Sequence, residues 1–266
     1  MIPLKFMLWW SGGNLSYLRY LTFKTLRHFH PNASILLLIG DVFKKDNHKW
    51  DVEKQDFEHP ENIQKNYIDE LKHLNIEVKH VNFFSKYAPN FQSDLFRWWW
   101  LHNFGGFYLD TDQIILKSFE SLPLDNDFIY SGYKADSCGY YTPVGVLGAS
   151  KGSEIVKKMM DEVPKLIDVN NYNSAGPFAL RTILDGKKKW KDRMFNAPSN
   201  YFYPISESFN VHTIFNGSFK IPEESYAIHM FLGHPDSQEF NRKYTEIFSK
   251  TNNDTISKHL RNEKSL

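Results

Sequence analysis

A single α/β domain built on a mostly parallel central sheet is the fold class this sequence predicts, and three observations carry it. Strand, helix and strand signals follow one another in the first 40 residues, the order that makes a right-handed crossover between parallel strands. The length, 266 residues and 31.4 kDa, suits one large domain or two small ones with a substantial core. No internal repeat, low-complexity tract or linker divides the chain.

The elements follow in order. "LKFMLWW" at 4–10 reads as a buried first strand, and "SGGNLS" as a turn whose Ser16 can cap the next helix. In that helix Leu18, Leu21, Phe23 and Leu26 recur at roughly helical spacing, and His30-Pro31 ends it. "SILLLIG" is the second strand, bounded by Gly40-Asp41. Residues 44–66 are polar and aperiodic, a surface excursion. A short helix over 66–74 precedes "IEVKHVNF", a third strand. Ser93 is the expected N-cap of a helix over 93–103, and "GGFYLDTDQIIL" follows as strand and turn. "DFIYSGYK" and "TPVGVLGAS" read as strands, "GSEIVKKMMDEVPKLI" as an amphipathic helix, and "GPFALRTIL" as a helix with Pro at its start. Beyond about residue 240 the chain turns charged and polar. The expected organisation is therefore one domain over 1–240 and a polar helical tail, fraying at the surface, over 241–266.

Composition excludes several classes. Apolar residues at 41% and charged residues at 24% are ordinary for a globular protein, while 16% aromatics, including 22 Phe, supply either core filling or stacking surfaces. A formal net charge of +1 argues against nucleic-acid binding. Cys138 is the only cysteine, so neither an intrachain disulfide nor a Cys-based zinc site is available. Sequons occur at Asn14, Asn32, Asn216 and Asn253, a pattern that chance supplies in an Asn-rich chain. The N-terminus has no basic leader with a long apolar core, and "ASILLLIG" is far short of a membrane span, so a cytoplasmic protein without a transmembrane segment is expected.

Chemistry concentrates in "SDLFRWWWLHNFGGFYLDTDQ", residues 93–113. A helix apolar around most of its circumference is normally buried, yet this one carries Asp94 and Arg97, three apart on one face. Burying a charge without a partner is costly. Two readings stay open: a structural ion pair, or a face lining a polar cavity for a charged or hydroxyl-rich ligand. Trp98, Trp99 and Trp100 read as core rather than as a platform. In "FYLDTD" strand alternation puts Tyr108, Asp110 and Asp112 on one face and Phe107, Leu109 and Thr111 on the other, the two carboxylates within roughly 7 Å. Like charges that close repel unless solvated, sharing a proton or binding a cation, and their oxygens suit Mg²⁺ or Mn²⁺.

These residues resemble a known family. Ser93-Asp94, Arg97, Gly105-Gly106, Tyr108, Asp110 and Asp112 stand where the GT-A-fold glycosyltransferases of family-32 type carry S-D-x-x-R and G-G-x-Y-x-D-x-D. That family includes initiating mannosyltransferases and capsular polysaccharide sugar transferases, with large clostridial glucosylating toxins as remote relatives. "IPLKFMLWWSGG" resembles its opening strand, with Trp10, Gly12 and Gly13 in the places of Trp-x-Gly-Gly; "GPFALRTIL" resembles its Gly-Pro helix, and "SYAIHMF" its closing segment, with His229. The resemblance runs discontinuously from about residue 2 to 234. Two departures bear on sugar identity: no Asn precedes the strand at 144–149, and no Ser-Trp pair follows His229.

The resemblance implies a metal-dependent hexosyltransferase on a GT-A, Rossmann-like nucleotide-sugar-binding fold. The donor is a nucleotide sugar, UDP-linked as first choice and GDP-mannose as second, the acceptor a glycan or glycoconjugate, and the anomeric configuration is retained. Mn²⁺ or Mg²⁺ is gripped by Asp110 and Asp112, with His229 as a candidate third ligand and His234 a weaker one, and neutralises charge on the departing diphosphate. Trp10 stacks on the base, Asp94 and Arg97 bind sugar hydroxyls, Tyr108 lines the pocket, and Asp110 also reaches the ribose or a metal-bound water; Asp110, Asp112 and Arg97 form the catalytic set. Two other readings compete. A haloacid-dehalogenase-like phosphatase would use Asp110 as nucleophile and Asp112 as general acid, though no later Gly-Asp-x-x-x-Asp segment completes its metal site. A non-catalytic nucleotide-sugar-binding module would need the acidic pair less.

Overall fold

The first strand, β1 (Lys5–Trp10), decides the layering: Phe6, Leu8 and Trp10 enter one apolar cluster, Met7 and Trp9 another, one on each face of the sheet. The computed structural model describes residues 1–11, 13–40, 65–84, 86–135, 139–185, 188–205 and 210–263. Gly12, Cys138 and all but the last two residues of the polar excursion at 44–66 lie outside the described residues.

After β1 come α1 (Tyr17–Phe29), β2 (Ser34–Gly40), a 3₁₀ turn over Asp69–Leu74, β3 (Glu77–Val81), α2 (Pro89–Phe104) and β4 (Gly106–Leu109). Next are β5 (Gln113–Ile115), β6 (Phe128–Ser131), the β7 (Tyr133–Ala135) and β8 (Gly139–Tyr141) hairpin, and β9 (Val146–Ala149). Then follow α3 (Glu154–Leu166), α4 (Pro177–Leu184), β10 (Met194–Ala197), α5 (Ser199–Phe202), α6 (His212–Phe215) and β11 (Ala227–His229). Helices α7 (Pro235–Lys243), α8 (Glu246–Thr251) and α9 (Thr255–Asn262) close the chain.

The main sheet has seven strands in the order β10-β6-β9-β4-β1-β2-β3. Neighbours are parallel except where β9 runs antiparallel to β4 and β6. This mixed, mostly parallel α/β sheet is the class the opening strand–helix–strand pattern predicts. From β1 the chain builds outward through β2 and β3, then returns to place β4 on the other flank. That reversal makes the carboxyl ends of β1 and β4 a topological switch point, the place where ligands bind in open α/β sheets.

Local signals explain most boundaries. Ser16 caps α1, its hydroxyl accepting from Arg19 N at 3.3 Å, and Ser153 caps α3. Ser93, however, is not a cap. Helix α2 starts four residues earlier with Pro89 at its first turn, where a missing N–H costs nothing, and this places Ser93 inside the helix. Gly105 and Gly106 join α2 to β4 with φ of 66° and 101°, a left-handed pair L side chains rarely adopt, and a Cβ on Gly106 would meet the Lys5 carbonyl at 2.5 Å. The Gly-Gly of the motif is thus an architectural requirement. In the last helices Tyr244, Ile256 and Leu260 join the core, and the Tyr244 hydroxyl meets Asp254 at 2.9 Å and Ser257 at 2.6 Å. A polar outer surface there covers an apolar inner seam.

Of the three consecutive tryptophans, Trp98 is fully buried, whereas Trp99 is 37% exposed. Trp98→Ala should therefore cost about 3–5 kcal/mol in urea unfolding, as cavity-forming aromatic truncations do, and Trp99→Ala under about 1 kcal/mol. Equal costs would contradict this division of the helix.

Candidate functional site

At the carboxyl end of β4 the backbone stops being a strand. It turns through Asp110, Thr111 and Asp112, after which β5 pairs antiparallel with β11, Gln113 opposite His229. The expected strand face carrying Tyr108, Asp110 and Asp112 is therefore interrupted by the turn, and its consequence is closer approach. Ligand-capable atoms of Asp110, Asp112 and His229 all lie within 4.8 Å of one another. Two backbone bonds pin the turn: Asp110 N donates to the Gly145 carbonyl at 2.8 Å, and Met230 N to that of Asp112 at 2.9 Å.

Asp112 is buried and well satisfied. One oxygen accepts from Leu232 N at 3.0 Å and the other faces His229 Nε2 at 3.1 Å. Burial alone would push its carboxyl up, but the His229 charge and hydrogen bond, with Arg19 and the Leu232 amide, outweigh it and hold the group down at about 2. His229 responds in the opposite sense: burial pushes the imidazole down, and Asp112 raises it by more. Its Nδ1 is buried without a hydrogen-bond partner. An ionised carboxylate, a second carboxylate and an imidazole with one orphaned nitrogen form a hard O,O,N donor set that fits Mn²⁺ or Mg²⁺.

The second half of the site hangs on Arg97. Its guanidinium lies 4.2 Å over the Tyr108 ring and donates to the Val144 carbonyl and Ser93 Oγ at 3.0 Å each, and to the Tyr108 hydroxyl at 3.2 Å. It pairs with Asp94 at 3.0 Å and approaches Asp110 at 3.7 Å. Tyr108 donates to Asp110 Oδ1 at 2.7 Å, so Ser93, 2.7 Å from the same hydroxyl, must donate to it. The Asp94–Arg97 spacing is thus that of a buried ion pair, and the pair continues through Tyr108 into the acidic turn. Asp94, fully enclosed, is pushed up to about 6 by burial, which Arg97 only partly offsets and Asp110 reinforces. Burial raises the Tyr108 hydroxyl well above its ordinary value, leaving it a dependable donor.

Several participants carry weak sequence signals. A Cβ on Gly145 would stand 2.5 Å from Asp110 Oδ2, and one on Gly176 would stand 3.0 Å from both Asp94 oxygens; the backbone grazes each carboxylate where only hydrogen fits. Ser93 reads as a cap and instead works on Tyr108. Arg19 is the larger omission. It lies 4.5 Å from the ring of Trp10 and donates to Thr111 Oγ1 at 2.9 Å, tying the end of β1 to the acidic turn. Its signal was a cation on the apolar face of α1, near Leu15, Leu18 and Leu26. Trp10 itself is buried, with Nε1 donating to the Gly13 carbonyl at 3.0 Å. His234 is not in the Asp110–Asp112–His229 group.

Residues 19–129 match the family described as "Glycosyltransferase sugar-binding region containing DXD motif". The match falls short of half the chain and contains two Asp-x-Asp tripeptides. Among the described residues only Asp110–Asp112 has a third candidate ligand beside it; Asp127 of the other is committed to Ser150, Ser153 and Arg193. No curated protein matches the chain. Among solved structures it is similar to the PaToxG glycosyltransferase, with 16% identity over 98% of this chain and 86% of that one at a TM-score of 0.49. It is also similar to the galactosyltransferase LgtC solved with donor and acceptor sugar analogues (16% identity, 91% and 98% covered, TM-score 0.45). A third is the glycosyltransferase GlyE of Streptococcus pneumoniae TIGR4 (15% identity, 99% and 64% covered, TM-score 0.47).

The raised Asp94 carboxyl predicts a pH signature. Its folded value, about 6, lies above the ordinary 3.8, so the folded state holds an extra proton between those limits and stability falls as pH rises through that window. Comparing urea unfolding at pH 4 and pH 7, Asp94→Asn should lose a smaller share of its stability than wild type. Parallel profiles would show that Asp94 titrates normally.

Proposed function

We propose that the protein is a metal-dependent glycosyltransferase of GT-A, family-32 type, which moves a hexose from a nucleotide sugar to a glycan or glycoconjugate with retention of configuration. UDP-sugars are the first choice of donor and GDP-mannose the second, and the proposed setting is cytoplasmic glycan or polysaccharide synthesis. One observation carries the reading: the Asp110–Asp112–His229 group and the Asp94–Arg97 pair adjoin at the β1/β4 switch point, and all of these residues but His229 fall in the segment that matches the DXD sugar-binding region.

Asp110, Asp112 and His229 would hold Mn²⁺ or Mg²⁺, and the bound cation supplies charge neutralisation to a departing nucleoside diphosphate. Everything else falls to the chain's own side chains. Asp112 stays ionised because His229 and the Leu232 amide hold it so. Tyr108 keeps Asp110 Oδ2 turned toward Gly145 by occupying Oδ1. Asp94 and Arg97 offer an acceptor and a donor to sugar hydroxyls; Arg97 Nε is buried without a hydrogen-bond partner, and Asp94 Oδ2 faces the space that Gly176 leaves. Trp10, stiffened by Arg19, forms the wall against which the base stacks. Retention is consistent with a site in which no side chain is assigned as general base: the acceptor hydroxyl would attack the face from which the diphosphate leaves.

Asp112→Asn should abolish Mn²⁺-stimulated turnover of the preferred nucleotide sugar while far-UV circular dichroism stays unchanged; undiminished stimulation would remove the metal assignment. Arg97→Lys keeps the charge but not the planar fork, and should lower kcat at least tenfold with a smaller change in UDP affinity. Equal loss of both would argue against sugar contact. A thermal-shift panel identifies the donor, since a ligand at a hundred times its Kd stabilises by about 2.7 kcal/mol. Release of phosphate from an aryl phosphate in place of nucleotide-sugar turnover would favour the phosphatase reading.

A further inference from the structure

Outside the site, the largest unexplained feature is a ribbon of exposed rings along the outer side of α2. Phe83 is 48% exposed, Phe104 39%, and Phe84 and Trp99 37% each. Single exposed apolar residues are commonplace, but these touch one another. Phe83 meets Phe84 at 6.4 Å and Trp99 at 6.2 Å between ring centroids, and Trp99 meets Phe104 at 5.6 Å. Phe84 is held there with φ 58°, a left-handed conformation that a bulky side chain adopts rarely. The α2 helix, apolar all round in sequence, is buried continuously from Phe91 to Trp98 and opens to solvent toward its C-terminal end, at Trp99 and Phe104.

Along the segment that carries the ribbon, residues 83–104, the exposed formal charge has one sign. Between Phe83 and Phe104 the only carboxylate is Asp94, which is buried against Arg97, whereas Lys86 is exposed. At the far end Lys5 Nζ lies 5.8 Å from the Phe104 ring, and Lys151 is near enough to add to burial in lowering Lys5. Aromatic rings bordered by lysines are the composition that settles at an anionic lipid surface, the rings at headgroup depth and the ammonium groups against phosphates. A second copy of the chain suits the ribbon poorly. A two-fold contact sets a patch against itself, so Lys86, which has no exposed acid within residues 83–104, would face its own copy.

We propose that the α2 ribbon is a membrane-surface contact, which rests the protein on bilayers containing anionic phospholipid without crossing them. The inference is independent of the proposed reaction. It concerns adsorption alone, and no helix among the described residues is long and apolar enough to span a membrane.

The test is co-sedimentation of the full chain with phosphatidylcholine vesicles, with and without phosphatidylglycerol. Wild type should partition onto the anionic vesicles and be released by raised salt. Lys86→Gln, at an exposed position, should weaken partitioning about fivefold, the share of one lysine near such a surface. Phe83→Ser combined with Trp99→Ser should weaken it at least tenfold while the melting temperature stays near wild type. No preference of wild type for anionic over zwitterionic vesicles overturns the proposal. So does a wild-type dimer that Trp99→Ser converts to monomer, since the ribbon would then belong to a second copy.

Discussion

Arg97 is the interaction on which the rest of the site depends. Its guanidinium ties together a helix, a strand and a loop distant in sequence: Asp94 and Ser93 on α2, Tyr108 on β4, and the Val144 carbonyl ahead of β9. A fully enclosed cation costs far more than a neutral side chain unless its donors are met and its charge balanced. The neighbours Arg97 recruits to meet that cost also set the positions of the acidic groups. Tyr108 can orient Asp110 because Arg97 lies over its ring and on its hydroxyl. Gly145 can shelter the other Asp110 oxygen because Val144, one residue before, is held by Arg97.

A second anchor meets the first at the turn. The small β5–β11 sheet brings a histidine from near the end of the chain to the carboxylate of Asp112, and the two shift each other in opposite directions, the acid down and the imidazole up. Each favours the charged form of its neighbour. This differs from the arrangement around Asp94, where burial dominates and the carboxyl is driven up. Two buried acids of one hydrogen-bonded neighbourhood are thus shifted in opposite directions, Asp112 down and Asp94 up. Burial is common to both. The difference is a histidine on one and a shared arginine on the other.

Much of this was legible in the chain. Alternation within "LKFMLWW" and "FYL" fixes which residues face which layer, and both strands obey it, since Phe6, Leu8, Phe107 and Leu109 share one cluster and Met7 and Tyr108 the other. The Asp94–Arg97 spacing told that the two share a helix face. Three features were not legible, for identifiable reasons. Ser93 has the chemistry of a cap, but Pro89 outcompetes it for the helix start, and only the tertiary partners reveal its use. Period-two reasoning fails at Asp110 because the backbone leaves the sheet there. The turn lets the two carboxylates converge more closely than a flat strand would. Arg19 looks like an interruption in an amphipathic helix, and nothing local says that it will lie on Trp10 and reach Thr111. In each case the missing information is the identity of a contact remote in sequence.

Why such a network persists follows from its energetics. Replacing a buried ion pair by well-packed apolar groups of like volume is often neutral or stabilising, so the Asp94–Arg97 pair is weak as a device for stability. Asp94 carries the cost openly in its raised titration, and the backbone that packs against it is glycine at Gly176, where a Cβ would crowd both oxygens. Arg97 Nε goes without a hydrogen-bond partner although buried. A donor left unmet beside a buried ion pair is hard to reconcile with a structure optimised only to fold, because the whole pair could be replaced by packed apolar groups at little cost. Under the proposed function, that part of the hydrogen bonding is left for the donor sugar. The hydroxyls of a sugar, each both donor and acceptor, are chemically matched to such a pair.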